Sequence, residues 1–260
     1  MTTFCKYHGA GNDFILIDNR KEKLSPKPEY VKLLCDRRFG IGADGLMLLE
    51  EDDQADFNMR FYNSDGHEGT MCGNGGRCIV AFAHRLGIIK GSTTFNSPDG
   101  LHYANVSGSG ATLTVNLKLN DVDDVNIGNG YYFLNTGSPH YVEFVEHIET
   151  FDIVSEGRRI RHSQLFAPHG TNVNFVEIRG DEILIGTFER GVEDETLACG
   201  TGSTAAAIAT SIHTNSKQNT YKIRTKGGSL KVSFEKVALG KYHNIWLEGP
   251  AAFVFEGTIE

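Results

Sequence analysis

The chain has 260 residues, with 25 Lys and Arg against 33 Asp and Glu and a formal net charge of -8. This length allows one large domain or two small ones. The acidic balance lacks the basic face of a general nucleic-acid binder, so no nucleic-acid partner is expected, while a small anionic ligand remains compatible.

The opening residues Met1-Thr2-Thr3-Phe4-Cys5-Lys6 lack the apolar core of a signal peptide, and no stretch approaches a membrane span. A soluble, cytoplasmic protein without membrane association is expected. Strand-like runs begin with Phe14–Asp18, after the polar loop His8-Gly9-Ala10-Gly11-Asn12-Asp13. A helix is predicted from Pro28 to Phe39, stopped by Gly40, followed by a strand over Phe57–Tyr62. The loop Met71-Cys72-Gly73-Asn74-Gly75-Gly76-Arg77 leads into a second predicted helix, Gly75 to Leu86, stopped by Gly87. A strand follows at Thr112–Leu117, and the turn-rich run Asn120-Asp121-Val122-Asp123-Asp124 marks a break. Beyond it come the polar loop Asn135-Thr136-Gly137-Ser138-Pro139-His140, a third helix from Arg158 to Phe166 and a strand over Asn174–Ile178. The loop Ala198-Cys199-Gly200-Thr201-Gly202-Ser203-Thr204 opens the fourth helix, Gly202 to Thr214, and strands at Leu230–Phe234 and Ala252–Phe255 end the series.

The second and fourth helices are small and apolar nearly all round, which marks buried helices running through their own β layers. Each half therefore repeats one order: a strand, a polar glycine loop, then a Cys-Gly-x-Gly loop with its apolar helix. The fold class is α+β. We assign residues 1–118 to an N-terminal domain carrying Cys72 and 119–260 to a C-terminal domain carrying Cys199. The last strand, about 250–260, is open to returning to the first domain, and the ligand is expected in the cleft between the two.

Cysteines stand at 5, 35, 72, 78 and 199 with no Cys-x2-Cys pair, so free thiols are expected and no metal site is assigned. Cys5, Cys35 and Cys78 read as packing residues. Cys72 and Cys199 differ because each is delivered to a helix N-terminus. The unpaired N–H groups and the positive end of the helix dipole stabilise a thiolate there, and each thiol is expected to titrate somewhat below its usual value of about 8.5. The same N–H groups receive carboxylates readily. Two thiols aimed at one bound carboxylate suit inversion of an amino-acid α-carbon. One thiolate removes the α-proton from one face, a thiol returns a proton on the other, and the N–H groups stabilise the enolate-like charge.

Tyr7-His8-Gly9-Ala10-Gly11-Asn12-Asp13-Phe14, Met71-Cys72-Gly73-Asn74-Gly75-Gly76-Arg77-Cys78, Asn172-Val173-Asn174, Glu189-Arg190-Gly191 and Thr196-Leu197-Ala198-Cys199-Gly200-Thr201-Gly202 together resemble diaminopimelate epimerase, in order and from residue 4 to the last strand. The resemblance implies two pseudo-symmetric domains, each a barrel-like, mostly antiparallel sheet wrapped round a central helix. It also implies a homodimer and a reaction without pyridoxal phosphate or any other cofactor. The activity implied is interconversion of LL- and meso-diaminopimelate, in lysine and peptidoglycan-precursor synthesis. Cys72 and Cys199 are thereby implied as the acid/base pair, with Gly73, Asn74, Gly200 and Thr201 holding the α-carboxylate through backbone N–H groups. Asn12, Asn63, Asn172 and Arg190 are implied to bind the distal amino-acid end, where a guanidinium matches a carboxylate. Glu189 and His140 are implied beside the reacting amino group and the thiols, which they would tune. Two positions depart from the pattern: Gly45 stands where many members carry Gln, and Ser138 where many carry Asn.

Three other readings compete. A proline or hydroxyproline racemase would need a closed apolar pocket in place of the Asn and Arg set. A cysteine hydrolase would depend on one thiol and accumulate an acyl intermediate. An amino-acid-binding or thiol-sensing protein would use the two cysteines as a redox pair. Gly200-Thr201-Gly202-Ser203-Thr204 resembles a phosphate loop, but no Gly-Lys-Ser/Thr follows, which argues against a nucleotide.

Overall fold

The computed structural model describes residues 1–259, an α+β chain forming two compact units: Met1–Leu117 with the last stretch from Gly249, and Lys118–Glu248. The first contains β1 (Thr2–Gly9), β2 (Asn12–Asp18), α1 (Asn19–Glu22), α2 (Pro28–Cys35), β3 (Gly45–Glu50), β4 (Phe57–Asn63), β5 (Glu68–Gly69), α3 (Gly73–Arg85), β6 (Ser92–Ser97), β7 (Gly100–Ser107) and β8 (Thr112–Lys118). The second contains β9 (Val125–Ile127), β10 (Tyr131–Asn135), β11 (Pro139–Phe144), α4 (Ile153–Arg161), β12 (Asn172–Arg179), β13 (Glu182–Glu189), β14 (Asp194–Thr196), α5 (Gly200–His213), β15 (Thr220–Thr225) and β16 (Gly228–Ala238). The strand β17 (Lys241–Ile259) runs from the second unit into the first.

In the first unit the hairpin β1–β2 is followed by parallel pairing of β2 with β3, an antiparallel β3–β4 pair, parallel pairing of β4 with β6, and the antiparallel series β6–β7–β8. The end of β17 pairs with both β8 and β1, closing the ring. The second unit repeats this sequence of pairings step for step: the hairpin β10–β11, parallel β11–β12, antiparallel β12–β13, parallel β13–β15, and antiparallel β15–β16–β17. Here a short bridge between Val122 and Tyr242 ties the segment before β9 to the start of β17. Closure leaves few unpaired strand edges.

Each ring packs on one helix. α3 lies against β1, β2, β3 and β7, and α5 against β10, β11, β12, β13, β15 and β16. Cys78, Ile79, Val80, Ala81 and Ala83 of α3, and Ala205 to Ala209 of α5, are fully buried. A helix apolar on every face has no solvent side, and alanines let surrounding strands approach the backbone closely.

Both central helices begin two residues earlier than the sequence reading placed them. The cysteine itself is the N-cap: Cys72 Sγ accepts the Gly75 N–H at 3.3 Å and Cys199 Sγ accepts the Gly202 N–H at 3.4 Å, so the glycines form the first turn. The predicted helix from Pro28 to Phe39 ends at Cys35, because Asp36 turns extended and its carboxylate accepts the Arg38 and Phe39 N–H groups at 2.7 and 2.8 Å. The predicted Arg158–Phe166 helix instead starts at Ile153, capped by Asp152, and only a 3-10 turn covers Gln164–Phe166.

Candidate active site

In the first unit β5 and α3 present Cys72 half-buried, with Gly73 and Asn74 buried behind it in the first turn. One chain of hydrogen bonds fixes this turn. Arg77 donates to the Gly73 carbonyl at 3.0 Å, to Asn74 Oδ1 at 2.9 Å and to the Pro250 carbonyl at 3.3 Å. Asn74 Nδ2 donates to Asn12 Oδ1 at 3.2 Å, and Asn12 Nδ2 to Asp44 at 2.6 Å. Arg37 then bridges Asp44 and Asp13, and Lys6 also pairs with Asp13. Burial raises the Asp13 carboxyl, but hydrogen bonds from Arg37 and Lys6 outweigh it and hold the group well below the usual carboxylate range. Upstream of the cysteine, Asp99 accepts the Met71 N–H at 3.1 Å.

Arg77 is fully buried, and no carboxylate forms an ion pair with it among the described residues. Burial lowers its affinity for the proton, while the nearby Cys78 and Cys72 sulfurs favour its charge. A guanidinium left among carbonyl oxygens is costly unless an anion compensates it.

Asn63 lies apart from this chain. It is exposed at the end of β4, and its amide reaches the His67 carbonyl only at 3.5 Å. At Gly45, opposite Asn63 in the ladder, an added Cβ would come within 2.5 Å of Phe61 Cε2. The Phe61 ring thus fills the space a side chain at 45 would need.

In the second unit Cys199 is buried at the start of α5, and its sulfur lies 3.4 Å from the Thr201 hydroxyl. Thr201 Oγ1 is 2.9 Å from His140 Nε2 and 3.3 Å from Ser138 Oγ. Asn172 Nδ2 donates to Ser138 Oγ and to the Pro139 carbonyl, both at 3.1 Å, and Asn172 Oδ1 accepts the Arg190 N–H at 2.9 Å. His140 is wholly buried, and burial, helped by the Arg190 charge, pushes its imidazole down to about 3, so the ring is neutral near pH 7. Glu189 ends β13, half-buried, and Arg190 follows it exposed.

Gly200 stands to its helix as Gly73 does to its own. Thr204 occupies the place of Arg77, donating to the Gly200 carbonyl at 3.0 Å. Gly202 admits no side chain, since a Cβ there would sit 2.5 Å from Asn174 Oδ1.

The structure therefore joins Cys72, Gly73, Asn74 and Asn12 in one cluster, and Cys199, Thr201, His140, Asn172 and the Arg190 backbone in another. Sequence reasoning passed over Arg77, Asp44, Asp99 and Asn174. Arg77 was discoverable as a charge placed directly before the apolar run Cys78 to Ala83 of a buried helix, and Asn174 as the residue two beyond Asn172 on the same strand face. The remaining cysteines are poor nucleophiles: burial pushes Cys5 and Cys35 up to about 11 and raises Cys78 further. Among the described residues no group of His, Cys, Asp and Glu has the arrangement of a metal site, and no helix is long and apolar enough to cross a membrane.

The sequence profile of a family described as diaminopimelate epimerase matches residues 4–120 and 132–254. A diaminopimelate epimerase of Flavobacterium psychrophilum is 52% identical over 257 residues, covering 98% of both chains. That of Chlorobaculum tepidum is 44% identical, covering 96% of this chain and 98% of its own. Among solved structures, a phenazine biosynthesis protein of the PhzF family from Bacillus anthracis superposes with a TM-score of 0.78 at 14% identity, covering 100% of this chain and 99% of that one. A probable proline racemase from Agrobacterium radiobacter gives 0.73 at 16% identity, covering 100% and 93%. These two likenesses are of fold.

Proposed function

The chain belongs to the diaminopimelate epimerase family, and from that membership we propose that Cys72 and Cys199 are the two bases that interconvert LL- and meso-diaminopimelate without pyridoxal phosphate. The observation that carries the assignment is the matched pair of helix starts, each capped by a cysteine sulfur. In one direction one sulfur, as thiolate, takes the α-proton while the other, as thiol, protonates the opposite face; in the reverse direction they exchange roles. After a turnover the sulfur that began as thiolate holds the abstracted proton and the other is left as thiolate, so the enzyme alternates between two protonation states.

The α-proton of an amino acid is only weakly acidic, and the reaction needs its carboxylate stabilised as electron density moves onto it. In α3 the Gly75 N–H is committed to sulfur and the Gly76 N–H to the Cys72 carbonyl. In α5 the Gly202 and Ser203 N–H groups are committed in the same way. Membership of the family assigns the α-carboxylate to the N–H groups of Gly73, Asn74, Gly200 and Thr201, at the positive ends of two helices. Asn12, Asn63, Asn172 and Arg190 are assigned to the distal amino-acid end, Glu189 to the reacting amino group and thiols, and His140 to tuning a thiol. The same reading carries a homodimer and a cytoplasmic location in lysine and peptidoglycan-precursor synthesis.

Proton NMR in D2O, with reduced thiols and LL- or meso-diaminopimelate, tests the reading. Solvent deuterium is expected at one α-carbon as the isomers interconvert, with proline unchanged. Exchange of proline in place of diaminopimelate would move the assignment to a racemase, and no exchange of either would end it.

A further inference from the structure

We propose that Asn174 is a positioning residue that sets the tautomer of His140 and, through it, turns the Thr201 hydroxyl proton onto the Cys199 sulfur. Donor and acceptor counting leads there in four steps. Asn174 is wholly buried, and its Nδ2 lies 2.8 Å from the Tyr141 carbonyl, which can only accept. Its Oδ1 accepts from Thr187 Oγ1 at 3.0 Å, so both ends of the amide agree on one orientation. The second N–H of Nδ2 then faces His140 Nδ1 at 3.1 Å, and that nitrogen must be the bare acceptor. A neutral imidazole with a bare Nδ1 carries its proton on Nε2.

That Nε2–H points at the hydroxyls of Thr201 and Ser138, 2.9 and 3.0 Å away. Ser138 already accepts from Asn172, whose orientation is fixed by the Pro139 carbonyl and the Arg190 N–H. With the His140 Nε2–H and, in the arrangement proposed, the Ser138 hydroxyl donating to Thr201 Oγ1, the threonine's own proton has the Cys199 sulfur at 3.4 Å as acceptor. When the sulfur is a thiolate this bond is charge-assisted and correspondingly stronger. Asn172 and Asn174, two apart on one face of β12, therefore feed the same sulfur by two routes. Arg190 is the charged side chain whose field reaches the ring, and it opposes a second positive charge there. His140 acts as a neutral relay, and the group touching sulfur is the threonine.

The inference rests on Cys199 being one of the two bases, yet its test uses no diaminopimelate and so stands or falls separately from that reading. Nitrogen-15 NMR of the histidine rings should show His140 protonated at Nε2 and bare at Nδ1. In N174D, where a carboxylate replaces the donor, the proton should move to Nδ1. Peptide-resolved alkylation should show Cys199 reacting about tenfold more slowly in T201V than in the wild type, with Cys72 as internal reference and T201S near the wild-type rate. An Nδ1-protonated ring in the wild type, an unchanged tautomer in N174D, or a T201V protein alkylated at the wild-type rate would each overturn the proposal.

Discussion

The starts of α3 and α5 use one backbone device in two electrostatic settings. Each has a cysteine N-cap, a glycine three residues on whose N–H meets the sulfur, and a side chain five residues on that bonds the carbonyl following the cysteine. At that last position the first unit places Arg77, a buried permanent cation, and the second Thr204, a neutral hydroxyl. Beside Cys199 stands a neutral imidazole with two hydroxyls. The backbone geometry of the two starts is the same, while the charge around the two sulfurs differs. In the proposed mechanism, two bases that exchange roles in each turnover need not have equal resting affinities for the proton.

The largest expected effect treats the two sites alike. Cys72→Ala and Cys199→Ala should each lower kcat for interconversion by about 10³-fold or more, the scale of losing a proton-transfer group, with diaminopimelate binding largely retained by calorimetry. Substantial turnover in either variant would remove that thiol from the mechanism.

Arg77→Met should separate them. It removes the side-chain donors that Arg77 gives to the Gly73 and Pro250 carbonyls and to Asn74 Oδ1, and should cost roughly 3 kcal/mol of stability in urea unfolding. Alkylation of Cys72 should slow while that of Cys199 stays constant. Equal slowing of both would show that the cation does not distinguish the sites.

The glycines give a finer contrast. Gly202→Ala drives a methyl into Asn174 Oδ1, a buried and doubly held group, and should destabilise by about 2 kcal/mol. Gly75→Ala instead meets chiefly the flexible end of Met47, with the Cys72 sulfur next at 3.0 Å, and should cost less. The reverse order would show that the second site is the more yielding.

A smaller effect falls on acid stability. His140 stays neutral in the folded protein down to about 3, from a usual value of 6.5. Below pH 6.5 the unfolded chain takes up a proton that the folded one refuses, so stability falls with pH, by up to about 1.4 kcal/mol per unit. Urea titrations from pH 7 to 4 should show a shallower decline in His140→Gln than in the wild type. Parallel declines would show that the ring is protonated in place.

Much of this was legible in the sequence because it depends on local pattern. The all-round apolar segments Ile79–Ala83 and Ala205–Ala209 announce buried helices, and the two Cys-Gly-x-Gly frames announce a pair of helix starts. The helix boundaries were not legible, since capping rules favour Ser, Thr, Asp and Asn, and a sulfur accepting a glycine N–H falls outside them. Nor were the polar partners. Nothing in the spacing of Arg77 says that three carbonyl oxygens and no carboxylate will surround it. Asn174 acquires its meaning only when parallel pairing of β11 with β12 sets it opposite Val142, beside His140 and Tyr141. The Pro250 contact of Arg77 and the surroundings of Asn174 both depend on register between segments far apart in the chain.

The central claim is that the two thiols serve opposite faces of one α-carbon, and deuterium exchange in the single-cysteine variants tests it most directly. Neither Cys72→Ala nor Cys199→Ala should interconvert the isomers. Each should still exchange, slowly, the α-proton of the one isomer its remaining thiol faces, LL in one variant and meso in the other. Exchange of the same isomer by both variants, or interconversion by either, would contradict the account.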